Sequence, residues 1–384
     1  MFNFSFQNPT RIVFGKDQLA QLAKLIPPGS KVLLTYGGGS IKKNGVYDQV
    51  VKALDGFDWQ EFSGIEPNPS FETLMRAADL VRREKIDFLL PVGGGSVIDG
   101  TKFIAAAAVF DGDAWDILAK AAKVTAAIPL GCVLTLPATG TESNGNSVVT
   151  RYETQQKLSF SSALVYPQFA ILDPTVTFSL PPKQVANGVV DAFVHVMEQY
   201  MTYPVNAPVQ DRFAEGLLQT LIEEGPKALS QPENYDVRAN VMWAATMALN
   251  GLIGQGVPQD WATHMIGHEI TALYGLDHAQ TLAIVLPSLL QQQRGQKRDK
   301  LLQYGRRVWQ LQHQDEERLI DDAINHTRAF FEQMGVPTRL ADYGIKADAV
   351  DKLVAALQAN GMLKLGEHAD ITPDVSRQIL QRAV

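Results

Sequence analysis

The pattern of apolar and polar positions changes style near residue 180. Before it, short apolar runs end in clusters of glycine or hydroxyl residues and alternate with stretches of helical period. Phe2, Phe4 and Phe6 alternate with Asn3 and Ser5, a period of two that predicts a strand. Residues 11–14 predict its neighbour, and 17–25 a helix. Residues 31–36 are an apolar strand running into Gly37-Gly38-Gly39-Ser40, and 85–92 repeat the pattern into Gly93-Gly94-Gly95-Ser96. Helices are predicted over 71–85 and from 97 onward. Residues 133–136 form a further strand ending in the hydroxyl-rich turn 137–144, and 170–174 the last. Strands alternating with helices imply a parallel sheet.

After Leu180-Pro181-Pro182 the period is helical almost to the end. Helices are predicted over 184–200, 211–224, 235–249, 261–273, 281–293, 298–310, 319–334, 347–359 and 373–382. The expected architecture is an α/β nucleotide-binding domain over residues 1–180 and an all-α domain over 181–384, with ligands at the cleft. An N-terminal strand with an aromatic face is also an edge on which a second copy could pair, which hints at a homodimer.

Composition narrows the classes. With 384 residues the chain is too long for one ordinary core, so two domains are natural. A net charge of −7 without a basic run argues against nucleic acid as partner. No run of about 18 apolar residues predicts a membrane span, and the N-terminus lacks the pattern of a signal peptide. The single cysteine, Cys132, excludes an internal disulfide and suits a reducing compartment, so a cytoplasmic location is expected. Its apolar surroundings predict a buried strand position.

Two constellations carry chemistry. Glycine loops between a strand end and a helix start expose backbone N–H groups at a positive dipole end, which suits a pyrophosphate. Neither loop fits the G-x-G-x-x-G fingerprint, and triple glycines also make plain tight turns; two of them at equivalent strand ends favour a nucleotide. After Tyr36 no acid appears before Asp48, and Ser40, Lys42 and Lys43 come first. Small residues and nearby cations leave room for a 2′-phosphate, favouring NADP(H) over NAD(H). The turn 137–144 offers hydroxyls and an amide to a cofactor, or to its own backbone, and Lys157 could reach a phosphate or ribose.

The second constellation is histidine. Three of the seven histidines, His264, His268 and His278, fall within fifteen residues. His264 and His268 share a helical face, as do Asp191 and His195 upstream. Asp191 lies among Val189, Val190, Ala192, Phe193 and Val194, where burying a charge without a partner is costly. Imidazoles plus one carboxylate suit Zn²⁺ or Fe²⁺. Spacing does not decide which of His264 and His268 binds the metal. His313, His326 and His368 lack spaced partners.

Residues 93–99, the turn 135–144, Asp191-x-x-x-His195 and His264-x-x-x-His268 followed by His278 together resemble the iron-containing (group III) alcohol dehydrogenases, nearly end to end. The likeness is greatest to the NADPH-dependent aldehyde reductase and butanol dehydrogenase-like branch. The resemblance implies a dehydroquinate synthase-like two-domain fold. It implies Asp191, His195, His264 and His278 as metal ligands, with His268 beside them near the nicotinamide and a candidate proton relay. Gly94, Gly95 and Ser96 would hold the pyrophosphate, with Asp99 near the nicotinamide end as a second candidate catalytic residue. Thr135, Thr139 and Lys157 would contact the cofactor, and Gly37, Gly38, Gly39, Ser40, Asn68 and Asn144 complete that set. NAD-using relatives carry Asp where this chain has Gly38. The turn departs from the family's P-T-T-x-G-T-G-S-E, being shorter and ending in Asn144. The implied reaction is reversible NADPH-dependent reduction of a small aldehyde to a primary alcohol, with the metal as Lewis acid on the carbonyl. The alternatives are a metal-dependent lyase of the dehydroquinate synthase type, which needs a basic phosphate cluster not evident around 264–278, and an inactive metal- or nucleotide-binding regulator.

Overall fold

A computed structural model describes residues 1–384. The chain forms two compact units. One comprises Gln7–Leu180 with Glu233–Thr246; the other comprises Met1–Phe6, Pro181–Pro232 and Met247–Val384.

The first unit is built on a six-stranded sheet of order β1-β8-β5-β4-β2-β3, parallel throughout. Its strands are β1 (Arg11–Phe14), β2 (Lys31–Thr35), β3 (Asp58–Phe62), β4 (Phe88–Gly94), β5 (Cys132–Leu136) and β8 (Phe169–Leu172). Successive side chains alternate between faces, and both faces are covered. Leu33 and Leu89 pack with Leu74, Ala77 and Phe103 of the helices Phe71–Glu84 and Gly95–Ala107. Val32, Leu34, Leu90 and Val92 pack on the opposite side with Leu22, Val46 and Val50. Burial on both faces is why the central strands read as unbroken apolar runs.

Cys132, Leu134, Ala170 and Leu172 face a third patch, which Ile98 and Met242 cover. Met242 belongs to the helix Tyr235–Ala248, and Trp243 on the same helix meets Phe14 edge to face at 5.9 Å. This helix is read from sequence as one of the helical half, yet residues 233–246 pack with the sheet.

Strand order sets a switch point. From β2 the chain goes outward to β3, crosses back to β4 on the other side of β2, and continues through β5 and β8. Connections therefore leave β2 and β4 in opposite directions. In open α/β sheets ligands bind at such a point, outside the carboxyl ends of the strands. The first glycine stretch, 37–40, follows β2, and the second, 93–96, spans the end of β4 and the start of the helix Gly95–Ala107.

Besides the edge strand β3, which was not predicted, two further features depart from the sequence reading. Residues 2–6 form no strand. Phe2 N donates to Gly256 O at 2.8 Å, but residues 251–256 are a turn-rich loop with positive φ at Gly251 and Gly256, offering no extended partner. Alternating phenylalanines supply the period of a strand, but pairing needs a neighbour. The second is an antiparallel hairpin, β6 (Asn146–Arg151) with β7 (Gln156–Ser161), which the sequence reading passed over. Its residues are mostly polar, so only its inward positions, such as Ser147 and Val149, carry a burial signal.

The second unit is organised around the helix Pro182–Tyr200, whose residues from Val185 to Tyr200 are all buried. A helix buried all round is a core element. The helix Pro208–Ser230 approaches it closely, because a Cβ at Gly225 would lie 2.8 Å from Val189. The helices Ala262–Tyr274 and His278–Gln292 pack together. No helix is long and apolar enough to cross a membrane.

The start of Ala262–Tyr274 is fixed by a buried ion network. Asp260 Oδ1 accepts from Trp261 N at 3.0 Å and Ala262 N at 2.8 Å, while Oδ2 lies 2.9 Å from Lys297 Nζ. Lys297 also meets Glu367 at 2.7 Å and donates to Met201 O at 2.8 Å. Its side chain is 2% exposed. Lys297→Met leaves two buried carboxylates without their cation. It should cost about 3–5 kcal/mol, measured as a lower urea midpoint; an unchanged midpoint would show that the network contributes no stability.

Candidate metal centre and nucleotide loops

The central helix places Asp191 and His195 one turn apart on one face. The helix Ala262–Tyr274 carries His264 and ends at Gly275, whose φ of 70° suits a residue without a side chain. Asp277 then caps the next helix, fixed by Asn187 Nδ2 at 3.1 Å and Lys183 Nζ at 2.8 Å. His278 is that helix's first residue. Three helix segments thus bring four side chains together: one ligand atom each from Asp191, His195, His264 and His278 lies within 4.8 Å of the others.

The geometry fits a divalent cation. His195 Nε2 and His264 Nε2 face each other at 3.0 Å, and His278 Nε2 is 3.6 Å from Asp191 Oδ1. Two imidazole nitrogens on a tetrahedral Zn²⁺ stand roughly 3.3 Å apart, given bonds of about 2.0–2.1 Å. His195 Nδ1 is buried with no hydrogen-bond partner, 3.8 Å from Asp191 Oδ1. Burial, with a lesser contribution from His264, holds His195 well below the usual imidazole range. It is therefore neutral, the form that ligates a metal.

Glu198 is the residue the sequence reading missed. Its Oε2 contacts His264 Nδ1, and its Oε1 accepts from Thr263 N at 2.7 Å. One proton between the carboxyl and Nδ1 leaves the lone pair of Nε2 aimed at the cluster, the arrangement that orients metal-binding histidines. Burial first, then the charge of Asp260, pushes the Glu198 carboxyl well above the ordinary carboxylate range. The signal was present: Asp191, His195 and Glu198 sit at i, i+4 and i+7, one stripe of one helix. His268 is buried beside the cluster, its ring 5.6 Å from that of His278, and is not one of the four. His313 pairs with Asp322 at 2.7 Å, His326 Nδ1 meets Asp322 O at 2.7 Å, and the ring of His368 lies 4.8 Å from that of Tyr203.

In the α/β unit, Gly94 precedes the helix Gly95–Ala107, whose first turn offers free N–H groups. A Cβ at Gly94 would meet Leu136 Cβ at 3.0 Å, and one at Gly95 would meet Thr139 Oγ1 at 2.6 Å. Glycine here lets the turn after β5 close onto the loop. Asn68, in the left-handed region with φ 54°, donates its N–H to Ser96 Oγ at 3.3 Å and accepts from Lys157 Nζ at 2.9 Å. Asn68, Ser96 and Lys157 thus form one group. Thr135 lies on β5.

Asn144 Nδ2 donates to Gly140 O at 2.9 Å, and Asn144 Oδ1 accepts from Lys102. Both oxygens of Asp99 are engaged, by the Thr141 hydroxyl and by Val148 N. Asp99 and Asn144 therefore hold the turn itself. Burial raises the Asp99 carboxyl, against the lowering effect of Lys102. At the other loop, Gly39 has φ 90° and a Cβ at Gly38 would meet nothing within 4 Å. Lys42 is occupied: Nζ is 3.5 Å from Glu61 and 4.4 Å from the centre of the Tyr47 ring. Lys43 is exposed. Cys132 is buried in β5, as its apolar setting implied.

Comparison with known proteins covers both halves of the chain. The family described as iron-containing alcohol dehydrogenase matches residues 9–174, and its Fe-containing C-terminal region matches 185–384. The NADPH-dependent aldehyde reductase YqhD of Escherichia coli (strain K12) is 62% identical, with 100% of each chain covered. A crystal structure of E. coli K-12 YqhD superposes with a TM-score of 0.99 at 61% identity, covering 100% of this chain and 99% of that one. Probable NADH-dependent butanol dehydrogenase 1 of Bacillus subtilis (strain 168) is 43% identical over 94% of this chain and 95% of its own. Both lengths of matched chain and the level of identity lead to the same conclusion: this protein belongs to the iron-containing alcohol dehydrogenase family.

Proposed function

We propose that the protein is a cytoplasmic, metal-dependent, NADPH-linked aldehyde reductase, acting reversibly between small aldehydes and primary alcohols. The observation that carries this reading is the convergence of Asp191, His195, His264 and His278 within 4.8 Å. The E. coli relative is itself an NADPH-dependent aldehyde reductase. Held there, Fe²⁺ or Zn²⁺ supplies Lewis-acid polarisation of a carbonyl, and NADPH supplies the hydride.

The chain's own residues do the rest. Three neutral imidazoles and one carboxylate leave a divalent site with net positive charge. Glu198 fixes the ring of His264. Gly94, Gly95 and Ser96 receive the pyrophosphate on backbone N–H groups, and Lys157, oriented by Asn68, reaches a phosphate or ribose oxygen. Gly37, Gly38, Gly39 and Ser40 receive the adenosine ribose and leave space for its 2′-phosphate. Thr135 and Thr139 line the cofactor's path. His268, outside the ligand set, carries the proton that the alcohol oxygen needs. Asp99 acts by fixing the turn that Thr139 belongs to.

A homodimer is part of the reading. Phe2, Phe4 and Phe6 are 50%, 51% and 40% exposed on one segment outside regular structure, apolar surface that a second copy can cover. Sedimentation should give two copies for the full chain and one after deletion of residues 2–6; a monomeric full chain rejects the dimer.

Metal dependence is tested on protein of known metal content, assayed by NADPH oxidation with butanal. His264→Ala should lose metal and turnover together. Glu198→Gln should keep the four ligands but bind metal about tenfold to a hundredfold more weakly in chelator competition. Full turnover by metal-free His264→Ala protein sinks the mechanism.

Cofactor choice is tested at Gly38, where a side chain has room. Gly38→Asp sets a carboxylate against the 2′-phosphate. The KM for NADPH should rise about tenfold or more while that for NADH falls. Unchanged preference would remove this loop from 2′-phosphate recognition.

A further inference from the structure

The turn after β5 has no ladder of its own, yet it is held from several sides. Asn8 Nδ2 donates to Ser143 O at 2.9 Å and to Ser143 Oγ at 3.0 Å. Thr246 donates to Glu142 Oε1 at 2.6 Å. The largest share comes from Lys102, whose side chain is wholly buried. Its ammonium lies 2.6 Å from both Thr141 O and Thr141 Oγ1, 2.8 Å from Asn144 O, 3.1 Å from Asn144 Oδ1 and 2.9 Å from Asn146 O. Oxygens of residues 141–146 thus form the cage that makes burying this cation tolerable. The Thr141 hydroxyl in turn donates to Asp99 Oδ1. Asp99 and Lys102, one turn apart on the helix Gly95–Ala107, grip the turn between them.

That helix is the one whose N-terminus faces the pyrophosphate loop, so the turn is tied to the phosphate site through a rigid element. Strand order says which half of a dinucleotide the turn meets. β2, β4 and β5 are successive neighbours, spaced about 4.8 Å. With the adenosine ribose over the loop after β2 and the pyrophosphate over the loop after β4, the remaining half of the cofactor extends over the end of β5.

We propose that Lys102 is a positioning residue for the nicotinamide half of the cofactor, acting by locking residues 141–146 to the phosphate-binding helix. The inference rests on the nucleotide reading of the two glycine loops. It makes the turn, and with it Thr139 against Gly95, a preformed surface rather than one ordered by the cofactor. Preformed contacts spare the cost of ordering on binding.

The test compares two ligands on metal-loaded, full-length protein. NADPH, followed by its fluorescence, has both halves; adenosine 2′,5′-bisphosphate, followed by calorimetry, lacks the nicotinamide half. Lys102→Met should raise the Kd for NADPH about tenfold or more and change that for the bisphosphate by less than about twofold, with metal content unaltered. Thr141→Val, which removes one link of the grip, should give a smaller loss in the same direction. It decides the matter if Lys102→Met does not fold. Equal losses for both ligands overturn the proposal, because they report general damage to the α/β unit, and so does unchanged NADPH binding. A wild-type protein that binds neither ligand overturns the nucleotide reading and this inference with it. Wild-type binding of both with no selective effect overturns the inference alone.

Discussion

Charge buried away from water must be answered inside the protein, and much of this molecule is arranged to answer it. In the helical unit, Asp191 is carried into the core on a helix with no exposed face over its last sixteen residues. Three imidazoles converge on it, two of them facing each other through Nε2. Neutral imidazoles alone do not balance a carboxylate; a divalent cation would, and it would fit between the facing imidazole nitrogens. Glu198, on the same helix, is answered differently, by the ring of His264 and two backbone N–H groups at the start of the helix Ala262–Tyr274. Asp260 and Glu367 are answered by Lys297. One unit therefore meets the same problem in three ways: a cluster fit to hold a metal, a histidine with backbone donors, and a lysine.

These solutions are linked by covalent structure. Asp260 caps the helix that carries His264, and its own N–H donates to Glu198 O at 2.8 Å. The ion network around Lys297 thus sets where that helix begins, which sets the height of His264 against His195. A cluster whose four ligand-type atoms lie within 4.8 Å of one another is thus supported by groups outside it.

Legibility from sequence followed the same physics. Strands buried on both faces were readable because nearly all their residues are apolar; β4 is an example, and the glycines at its end stand out against it. The histidine cluster was readable because histidine is scarce and i, i+4 spacing puts two side chains on one helix face, while the choice of His264 over His268 came from the family resemblance and not from spacing. What stayed hidden were residues whose partners are distant in sequence. Lys102 is 39–44 residues from the oxygens it binds, and nothing in its apolar helix distinguishes a caged lysine from one that snorkels to solvent. Glu198 looked like an ordinary helical acid until His264 was brought to it across 66 residues. The polar hairpin β6–β7 lacked the apolar contrast that marks a strand. The row Phe2, Phe4, Phe6 misled in the opposite sense, because periodicity reports a face but not a neighbour to pair with. The helix Tyr235–Ala248 lies among helices in sequence but is needed by the sheet, where Cys132, Leu134, Ala170 and Leu172 would otherwise lack cover.

The α/β unit reaches its precision by another route. There the close approaches are made by removing side chains: Gly93 lies under Val97, Gly94 against Leu136 and Gly95 against Thr139. Glycine carries an entropic cost and no contacts of its own, so a loop built from it needs to be held by something else. The helix that begins at Gly95 supplies that support. Its first turn presents N–H groups to a phosphate, its second carries Asp99, and its third carries Lys102 into the cage beneath the neighbouring turn. An element that binds the ligand at one end and clamps the adjoining loop along its length keeps both parts of the site in fixed register, which a glycine loop alone could not do.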